Sequence, residues 1–152
     1  MNKKDIFDRL FELPILNMLE PFYKKNKEIL LYLFFGGLAF IVSIATYAFF
    51  NVICGLNELV ANVISWIITV TFAFLTNRIW VFDSPVDTVK DFFSQLVNFF
   101  GGRIVTLVIE EAILLIFITW LEMNSMLIKV IAQVVVIVLN YVISKLWIFR
   151  KK

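Results

Sequence analysis

The sequence predicts an all-α integral membrane protein built as two similar halves. Hydrophobic residues make up 61% of its 152 residues, whereas an ordinary soluble domain is roughly 45–50% apolar. Residues 78–82 read Arg-Ile-Trp-Val-Phe, and residues 145–149 read Lys-Leu-Trp-Ile-Phe. Each of these stretches closes a long apolar run, and their shared spacing indicates an internal repeat.

The repeat extends back from these two endings. Residues 62–82 align with residues 129–149 without a gap, at an offset of 67 residues. The sequence Phe-Phe-Gly-Gly occurs at residues 34–37 and again at 99–102, at an offset of 65 residues. We attribute this difference of two residues to loops of unequal length. Each half is therefore predicted to form one helical hairpin.

Charge and composition exclude several classes of function. The net charge is only +2, so a nucleic-acid role has no electrostatic basis. Histidine is absent, which removes His-based catalysis and the commonest metal ligand. The sequence shows no nucleotide-binding domain, no glycine-rich phosphate loop and no metal cluster. We therefore predict a protein that is not an enzyme, with no catalytic residues, no metal and no cofactor.

Residues 1–28 are predicted to form a cytoplasmic or interfacial segment, ahead of a four-helix transmembrane domain at 29–152. Residues 5–23 alternate charged and apolar positions and are interrupted by Pro14 and Pro21. Short amphipathic helices lying in the membrane interface and a loosely ordered tail both fit this pattern. A cationic collar follows, made of Lys24, Lys25 and Lys27.

Four apolar segments are each near the ~20 residues needed to cross a bilayer. They lie at about 30–53, 59–82, 96–120 and 126–148. The links within each pair are short, so each pair is a hairpin. The middle connection, 83–94, is longer and polar at its start. Its later part, 86–96, is compatible with a short amphipathic helix that leads into the third span.

The placement of cations predicts the orientation of the spans. Glu58 and Glu122 mark the two hairpin turns, with Lys129 as a nearby exception. Both termini and the middle connection are therefore predicted to be cytoplasmic, an N-in/C-in topology. The hairpins then run in the same sense, as parallel repeats about an axis along the membrane normal. The cations on the predicted cytoplasmic side are Lys24, Lys25, Lys27, Arg78, Lys90, Lys145, Arg150, Lys151 and Lys152.

The chain resembles the GtrA-like family of small membrane proteins over roughly residues 30–150. The resemblance rests on the four-span layout, on Phe-Phe-Gly-Gly opening the first and third spans, and on the endings 77–82 and 140–149. The chain departs from the pattern at Ala73, where the second half has Asn140. The resemblance implies a multi-pass protein of the bacterial cytoplasmic membrane that moves polyprenyl-phosphate-linked sugars. It also implies a part in cell-surface polysaccharide or teichoic-acid glycosylation, with membrane glycosyltransferases as partners.

Charged residues inside membrane spans are costly and mark candidate functional sites. Span three carries Arg103, Glu110 and Glu111. Arg103 and Glu110 share a helical face, so an internal ion pair without substrate is the alternative to a substrate site. Glu111 lies about 100° round the helix from Glu110. One carboxylate can therefore face another helix while its neighbour faces a cavity.

A polar stripe runs along span four, and span two repeats it weakly from Asn62 onward. Because spans three and four form a tight hairpin, we expect their polar faces to meet. Gln133 is then nearly level with Glu111, and Asn140 with Arg103. The stripe consists of Lys129, Gln133, Asn140 and Ser144. The predicted substrate-binding residues are Arg103, Glu110, Glu111, Lys129, Gln133, Asn140 and Asn62.

The two repeated endings also suggest roles at the membrane surface. Trp80 and Trp147 are predicted to lie in the aromatic belt. Arg78 and Lys145 satisfy the positive-inside rule and can also meet a lipid phosphate at the cytoplasmic face. Four thin helices enclose little space for a sugar head group, so a homo-oligomer is expected. One face of span one is a predicted packing surface, made of Gly36, Ala39, Ser43 and Tyr47.

The sequence is compatible with three functions. The first is a translocator of lipid-linked sugars. The second is a small multidrug-type exporter, which resembles this chain in size but uses a carboxylate in its first span, whereas both intramembrane carboxylates here lie in span three. The third is a non-catalytic subunit that stabilises a membrane glycosyltransferase.

Overall fold

The computed structural model describes residues 6–11, 18, 20–85 and 88–150. Within these ranges every regular element is helical, which confirms the predicted all-α class. Several positions used in the sequence-based predictions lie outside the described residues, namely Pro14, Val86, Asp87, Lys151 and Lys152. The helices of the described ranges are α1 (Ile6–Phe11), α2 (Glu20–Ala48), α3 (Glu58–Thr76), α4 (Val89–Leu114) and α5 (Ser125–Ile143).

Each of the helices α2 to α5 continues into a π-helical turn. The repeated endings of the sequence form two of these turns, Asn77–Val81 and Ser144–Ile148. The other two are Phe49–Ile53 and Leu115–Trp120. Short π-helical segments are rare in proteins, and those that occur are often found at functional sites. Including these turns, the helices run over 20–53, 58–81, 89–120 and 125–148, close to the predicted spans except at the first and third starts.

Three helices are long and apolar enough to cross a membrane. They are Glu20–Ile53, Glu58–Val81 and Leu127–Ile148. The helix over 89–120 is also long, but Arg103, Glu110 and Glu111 interrupt its apolar stretch. The described residues thus contain three candidate spans and a fourth helix that differs from them in charge.

The first long helix begins earlier than the predicted span at residue 30. α2 starts at Glu20 and has Pro21 in its first turn, where the missing N–H of proline removes no helical hydrogen bond. Pro21 therefore lies within the start of a helix and does not interrupt it. At Asn26 the backbone leaves helical geometry, with φ −118° and ψ 16°. This kink separates the polar start of α2 from its apolar length.

The chain divides into two compact units, and the first is Met1–Asp83. Here α2 packs against α3, with Leu31, Ala39 and Phe74 among the buried side chains. Ser65 Oγ on α3 donates a hydrogen bond to the Ser43 carbonyl oxygen on α2 at 2.7 Å. The small-residue face predicted on span one is therefore used, at Ala39 and Ser43, for packing within this hairpin.

Aromatic side chains hold α1 against the start of the first hairpin. The Phe7 ring meets the rings of Phe34 and Phe35 edge-on, at centroid distances of 5.7 and 5.6 Å. Phe35 in turn stacks on Trp80 at 5.3 Å. Trp80 is half-buried by these contacts, whereas Trp147 at the equivalent position is 75% exposed. The two repeated tryptophans thus differ in their surroundings.

The second unit is Ser84–Lys152, in which α4 packs against α5. Its buried apolar side chains include Phe99 on α4 and Ile128 and Ala132 on α5. The helices approach closely at Gly102, where an added Cβ would lie 3.2 Å from Ile143 Cγ2. Glycine at this position therefore permits the close contact of the two helices.

The two hairpin turns repeat each other in backbone geometry. The Cys54 N–H donates to Phe49 O, and the Leu121 N–H donates to Ile116 O. The left-handed residues are Gly55 (φ 67°) and Glu122 (φ 51°), which occupy equivalent positions. The caps repeat too, since Asn57 Oδ1 accepts from the Leu59 N–H and Asn124 Oδ1 from the Leu127 N–H. The backbone hydrogen bonds, the left-handed residues and the capping asparagines keep the 67-residue offset, although the two asparagines cap different N–H groups, two and three residues farther on. The turns are therefore equal in length, and the loop difference inferred from the sequence is wrong.

The 67-residue offset also relates the buried faces of α2 and α4. Buried Ala39 corresponds to buried Thr106, and Ser43 corresponds to Glu110. The Phe-Phe-Gly-Gly segments are therefore two residues out of structural register, a rotation of about 200° on a helix. This explains why Phe35 packs on Trp80 in the first unit, whereas Gly102 takes the equivalent position in the second.

Candidate functional site

Polar side chains of α4 and α5 meet near the turn that joins them. The carboxylate of Glu110 is buried, and the residue is only 8% exposed. Lys129 Nζ lies 2.6 Å from Glu110 Oε1, and Gln133 Nε2 lies 2.5 Å from the same oxygen. Lys129 and Gln133 are one helical turn apart, so both reach across from one face of α5. A buried negative charge is thereby matched by a cation and a hydrogen-bond donor.

A second polar contact lies one turn before Glu110 on α4. Thr106 is 1% exposed, and its hydroxyl donates to Asn140 Oδ1 on α5 at 3.0 Å. The same hydroxyl lies 3.1 Å from the carbonyl oxygen of Arg103 in its own helix. Thr106 therefore links the backbone beside Arg103 to the amide of Asn140.

Arg103 lies at the far end of this set of polar residues. Its guanidinium carbon is 4.7 Å from the centroid of the Phe99 ring, a distance suited to a cation–π interaction. The alternative raised by the sequence, an ion pair between Arg103 and Glu110, is not how the structure pairs these charges, since Lys129 supplies the cation for Glu110. A lysine across the hairpin can approach the carboxylate more closely than an arginine about two turns away on the same helix.

Glu111 does not join these contacts and is exposed. Glu110 thus faces the neighbouring helix, as expected for one of the two carboxylates, whereas a cavity facing Glu111 stays a prediction. Gln133, expected level with Glu111, bonds to Glu110, one residue away. Asn140, expected level with Arg103, bonds to Thr106 instead.

We call the interhelical contacts of the second unit the polar ladder. They join two residues of α4 to three residues of α5. The ladder offers a cationic donor, two amide groups and one carboxylate acceptor, a combination that can bind a polar, anionic head group in place of its internal partners. Its members are Thr106, Glu110, Lys129, Gln133 and Asn140.

The first unit has no equivalent of this charged ladder in its described contacts. The residue equivalent to Lys129 is Asn62, which is exposed. The link between α2 and α3 is instead made by hydroxyls, with Thr46 Oγ1 2.9 Å from Ser65 Oγ. Of the predicted site residues, the structure thus brings together Glu110, Lys129 and Gln133, and places Asn62 in the other unit.

The two cations predicted at the cytoplasmic face occupy equivalent positions in π-helical turns. Arg78 is half-buried in the turn Asn77–Val81. Lys145 is exposed in Ser144–Ile148, and its Nζ lies 3.1 Å from Tyr141 Oη. Both cations therefore follow a buried polar residue, Asn77 or Ser144.

Sequence reasoning missed Thr106. A threonine in a membrane helix usually indicates close helix packing, so it carried little signal by itself. It lies three residues after Arg103 and four before Glu110, on the same helical face as both. That spacing between two charged residues marks Thr106 as a candidate, whereas its contact with Asn140 is visible only in the structure.

The fold and the polar ladder define a class: small helical membrane proteins with buried charges paired between helices. Residues 31–149 match the family described as "GtrA/DPMS, transmembrane domain". The chain belongs to this family, and it is a multi-pass protein of a bacterial membrane.

Its relatives are bacterial proteins of similar length. One is the "Cell wall teichoic acid glycosylation protein GtcA" of Listeria monocytogenes serovar 1/2a, 34% identical over 133 residues, which are 87% of this chain and 92% of that protein. The protein of the same name from Listeria innocua is 33% identical over 131 residues, 86% of this chain and 90% of that protein. The "Uncharacterized membrane protein YwcD" of Bacillus subtilis is 31% identical over 121 residues, 80% of this chain and 95% of that protein.

Proposed function

We propose that this protein moves polyprenyl-phosphate-linked sugars across the cytoplasmic membrane, for glycosylation of teichoic acid or another cell-surface polymer. Membership of the GtrA/DPMS family supports this function. So does similarity to proteins named for cell wall teichoic acid glycosylation. The observation that carries it is the buried Glu110 carboxylate, held by Lys129 and Gln133 between two largely apolar helices.

The ladder suggests how an anionic head group is accommodated. With the site empty, Glu110 neutralises Lys129, because an unpaired charge in low dielectric is strongly unfavourable. A substrate phosphate competes with Glu110 for Lys129 and is also attracted by Arg103. Sugar hydroxyls both donate and accept hydrogen bonds, which suits Gln133 and Asn140. The prenyl tail remains in the bilayer.

The other predicted residues have separate proposed roles. Glu111, exposed beside Glu110, faces the head group as it passes. Asn62 stands at the position equivalent to Lys129 and offers a weaker, uncharged hydrogen-bonding group. Arg78 and Lys145 receive the lipid phosphate at the cytoplasmic face, where basic pockets bind anionic head groups.

We infer four spans in an N-in/C-in arrangement, as parallel repeats. The helix over 89–120 is included because its buried carboxylate is paired by Lys129, and paired charges are tolerated inside membranes. The segment 1–28 is then cytoplasmic or interfacial, and 29–152 is the transmembrane domain.

We further propose that the protein is not an enzyme and works with membrane glycosyltransferases that make and use the lipid-linked sugar. It is also proposed to self-associate, since one copy offers little room for a sugar. Ala39 and Ser43 already pack within the first hairpin, so contacts between copies use other surfaces. Cross-linking in native membranes is expected to give a dimer or larger species, and a pure monomer would contradict this.

Transport by purified protein separates the candidate functions. Liposomes containing the protein receive a polyprenyl phosphate carrying a labelled hexose, and the label reaching the opposite leaflet is measured. A translocator moves the label faster than protein-free liposomes do. A non-catalytic subunit gives no movement alone, yet its loss in cells still removes sugar from the surface polymer. A multidrug-type exporter moves cationic dyes and not the lipid-linked sugar.

A further inference from the structure

A hydrogen-bonded pair in the second unit replaces two alanines of the first. Thr106 and Asn140 stand at the 67-residue offset from Ala39 and Ala73. Ala39 is 8% exposed and Thr106 is 1% exposed, so the α2 and α4 positions are both buried. The first hairpin forms with alanine at both positions. The Thr106–Asn140 bond is therefore not a requirement of the hairpin fold.

The bond fixes the direction of the Asn140 amide. The single hydrogen of the Thr106 hydroxyl is shared between Asn140 Oδ1 at 3.0 Å and the Arg103 carbonyl oxygen at 3.1 Å. With Oδ1 on this side, the two N–H donors of Nδ2 lie on the other side of the amide. Within the described part of the chain, no acceptor is bonded to Asn140 Nδ2. Unsatisfied donors are unfavourable in a membrane interior, so these N–H groups suit an acceptor supplied by a ligand.

The position of Asn140 indicates which ligand atoms it meets. Thr106 lies one helical turn from Glu110 and three residues from Arg103. The Asn140 amide is thus flanked along the ladder by the Lys129–Glu110 contact on one side and by Arg103 on the other. An anionic group held between these two cations would present oxygen acceptors to the amide.

We propose that Thr106 is a positioning residue, which holds Asn140 with its amide N–H groups directed at an oxygen acceptor of the lipid-linked sugar phosphate. The inference rests on the proposed function for the identity of the ligand. Without the Thr106 hydroxyl the amide can turn by 180° and present Oδ1, which repels a phosphate oxygen. The acceptor belongs either to the phosphate or to a sugar hydroxyl, since both offer the same chemistry.

Binding to protein in lipid nanodiscs tests this proposal. The probes are polyprenyl phosphate and the same lipid carrying a hexose. Thr106→Val, which keeps the shape but removes the donor, is expected to weaken binding about tenfold, the loss of roughly one hydrogen bond. Thr106→Ser is expected to restore it. In an Asn140→Ala background Thr106→Val should have no further effect, because Thr106 acts through Asn140.

The Asn140 side-chain amide supplies a direct readout by ¹⁵N NMR, assigned by its loss in Asn140→Ala. A shift with polyprenyl phosphate identifies a phosphate acceptor, and a shift only with the sugar-bearing lipid identifies a hydroxyl; either result supports the proposal. No shift with either probe overturns it. So does wild-type affinity in Thr106→Val, or an equal weakening in the Asn140→Ala background.

A matched fold control comes from the first unit. Thr106→Ala with Asn140→Ala installs the pair that the first hairpin carries, and this variant is expected to unfold at nearly the wild-type temperature while losing the tenfold contribution to binding. If it fails to fold, the hydrogen bond is structural and the proposal is wrong. If wild-type protein binds the lipid but does not move it, the transport function fails while these comparisons still decide the role of Thr106.

Discussion

Glu110 is a carboxylate in a buried position, where a charge is unfavourable. The residue is 8% exposed, and a carboxylate taken from water into low dielectric is unfavourable unless it is paired and hydrogen-bonded. Lys129 and Gln133 meet the same oxygen and provide both requirements. Ser43 at the equivalent position of the first unit needs no such partners. The second hairpin thus maintains a charged arrangement that the fold does not demand.

Removing Lys129 alone should therefore destabilise the protein. Lys129→Ala leaves the buried carboxylate with Gln133 only, and we expect the free energy of unfolding in detergent to fall by about 2 kcal/mol, below the range for fully buried pairs because Lys129 is half-exposed. Glu110→Ser with Lys129→Asn, which copies Ser43 and Asn62, should recover most of that loss. Lys90→Ala, an exposed lysine of the same unit, serves as the control. Equal stability of Lys129→Ala and wild type would show that the pair is energetically neutral.

The two hairpin turns offer a comparison at single residues. Both turns have a left-handed residue, glycine at position 55 and glutamate at 122. A side chain in that conformation is unfavourable by roughly 1 kcal/mol. Glu122→Gly should therefore raise the unfolding temperature, whereas Gly55→Glu should lower it. Opposite signs in thermal unfolding are the expected result, and a loss of stability in Glu122→Gly would mean that its side chain makes a stabilising contact.

At the scale of helices, the sequence predicted most of the elements but not their register. The hairpins and their polar faces follow from apolar runs, short polar turns and helical spacing. The register of α4 relative to α2 does not, because identical Phe-Phe-Gly-Gly letters suggest an offset of 65, while packing follows the offset set by the turns. The early start of α2 was also missed, since Pro21 reads as a break unless it falls in a first turn.

The charged residues of the candidate site could be predicted from the sequence, but their partners could not. Charges within long apolar stretches, such as Glu110 and Lys129, are rare enough to be recognised in a sequence. Which of two adjacent carboxylates faces the neighbouring helix depends on a rotation of about 100°, which no spacing argument within one helix fixes. The role of Thr106 depends on its partner across the hairpin and so required the structure.

The close approach of α4 and α5 depends on Gly102. Gly102→Leu should force the helices apart, because even a Cβ there would lie 3.2 Å from Ile143 Cγ2, and overpacking is typically unfavourable by about 1–3 kcal/mol. Gly101→Leu is the matched control, since nothing lies within 4 Å of its added Cβ. Thermal unfolding should separate the two variants, and equal effects would contradict the close packing at Gly102.

At the scale of the whole molecule, the proposed N-in/C-in topology would give the ladder its direction across the membrane. In a Cys54→Ser background, single cysteines at positions 57 and 124 should react with a membrane-impermeant thiol reagent from outside. A cysteine at position 87 should react only after permeabilisation, since positive-inside placement puts the middle connection in the cytoplasm. Labelling of position 87 in intact cells would overturn the N-in/C-in arrangement.

The two units also differ in where charges are paired between helices. Both share turns, caps and π-helical endings, whereas the described ion pair between the two long helices of a hairpin, Lys129–Glu110, lies in the second unit. The turn geometry is the same in both hairpins, and the side chains between the helices differ. This pattern is expected if a transport path was added to one copy of a structural repeat. The first unit then supplies a built-in reference for which residues the fold itself requires.

Transport by the neutral variant Glu110→Ser with Lys129→Asn tests this account most directly. Both charges are removed together, so no buried charge is left unpaired, and the substituted residues are those that the first hairpin carries. In liposomes loaded with labelled polyprenyl-phosphate hexose, we predict a folded protein that moves the lipid no faster than protein-free liposomes. A folded variant that transports at the wild-type rate would show that the ladder is structural and that the path lies elsewhere.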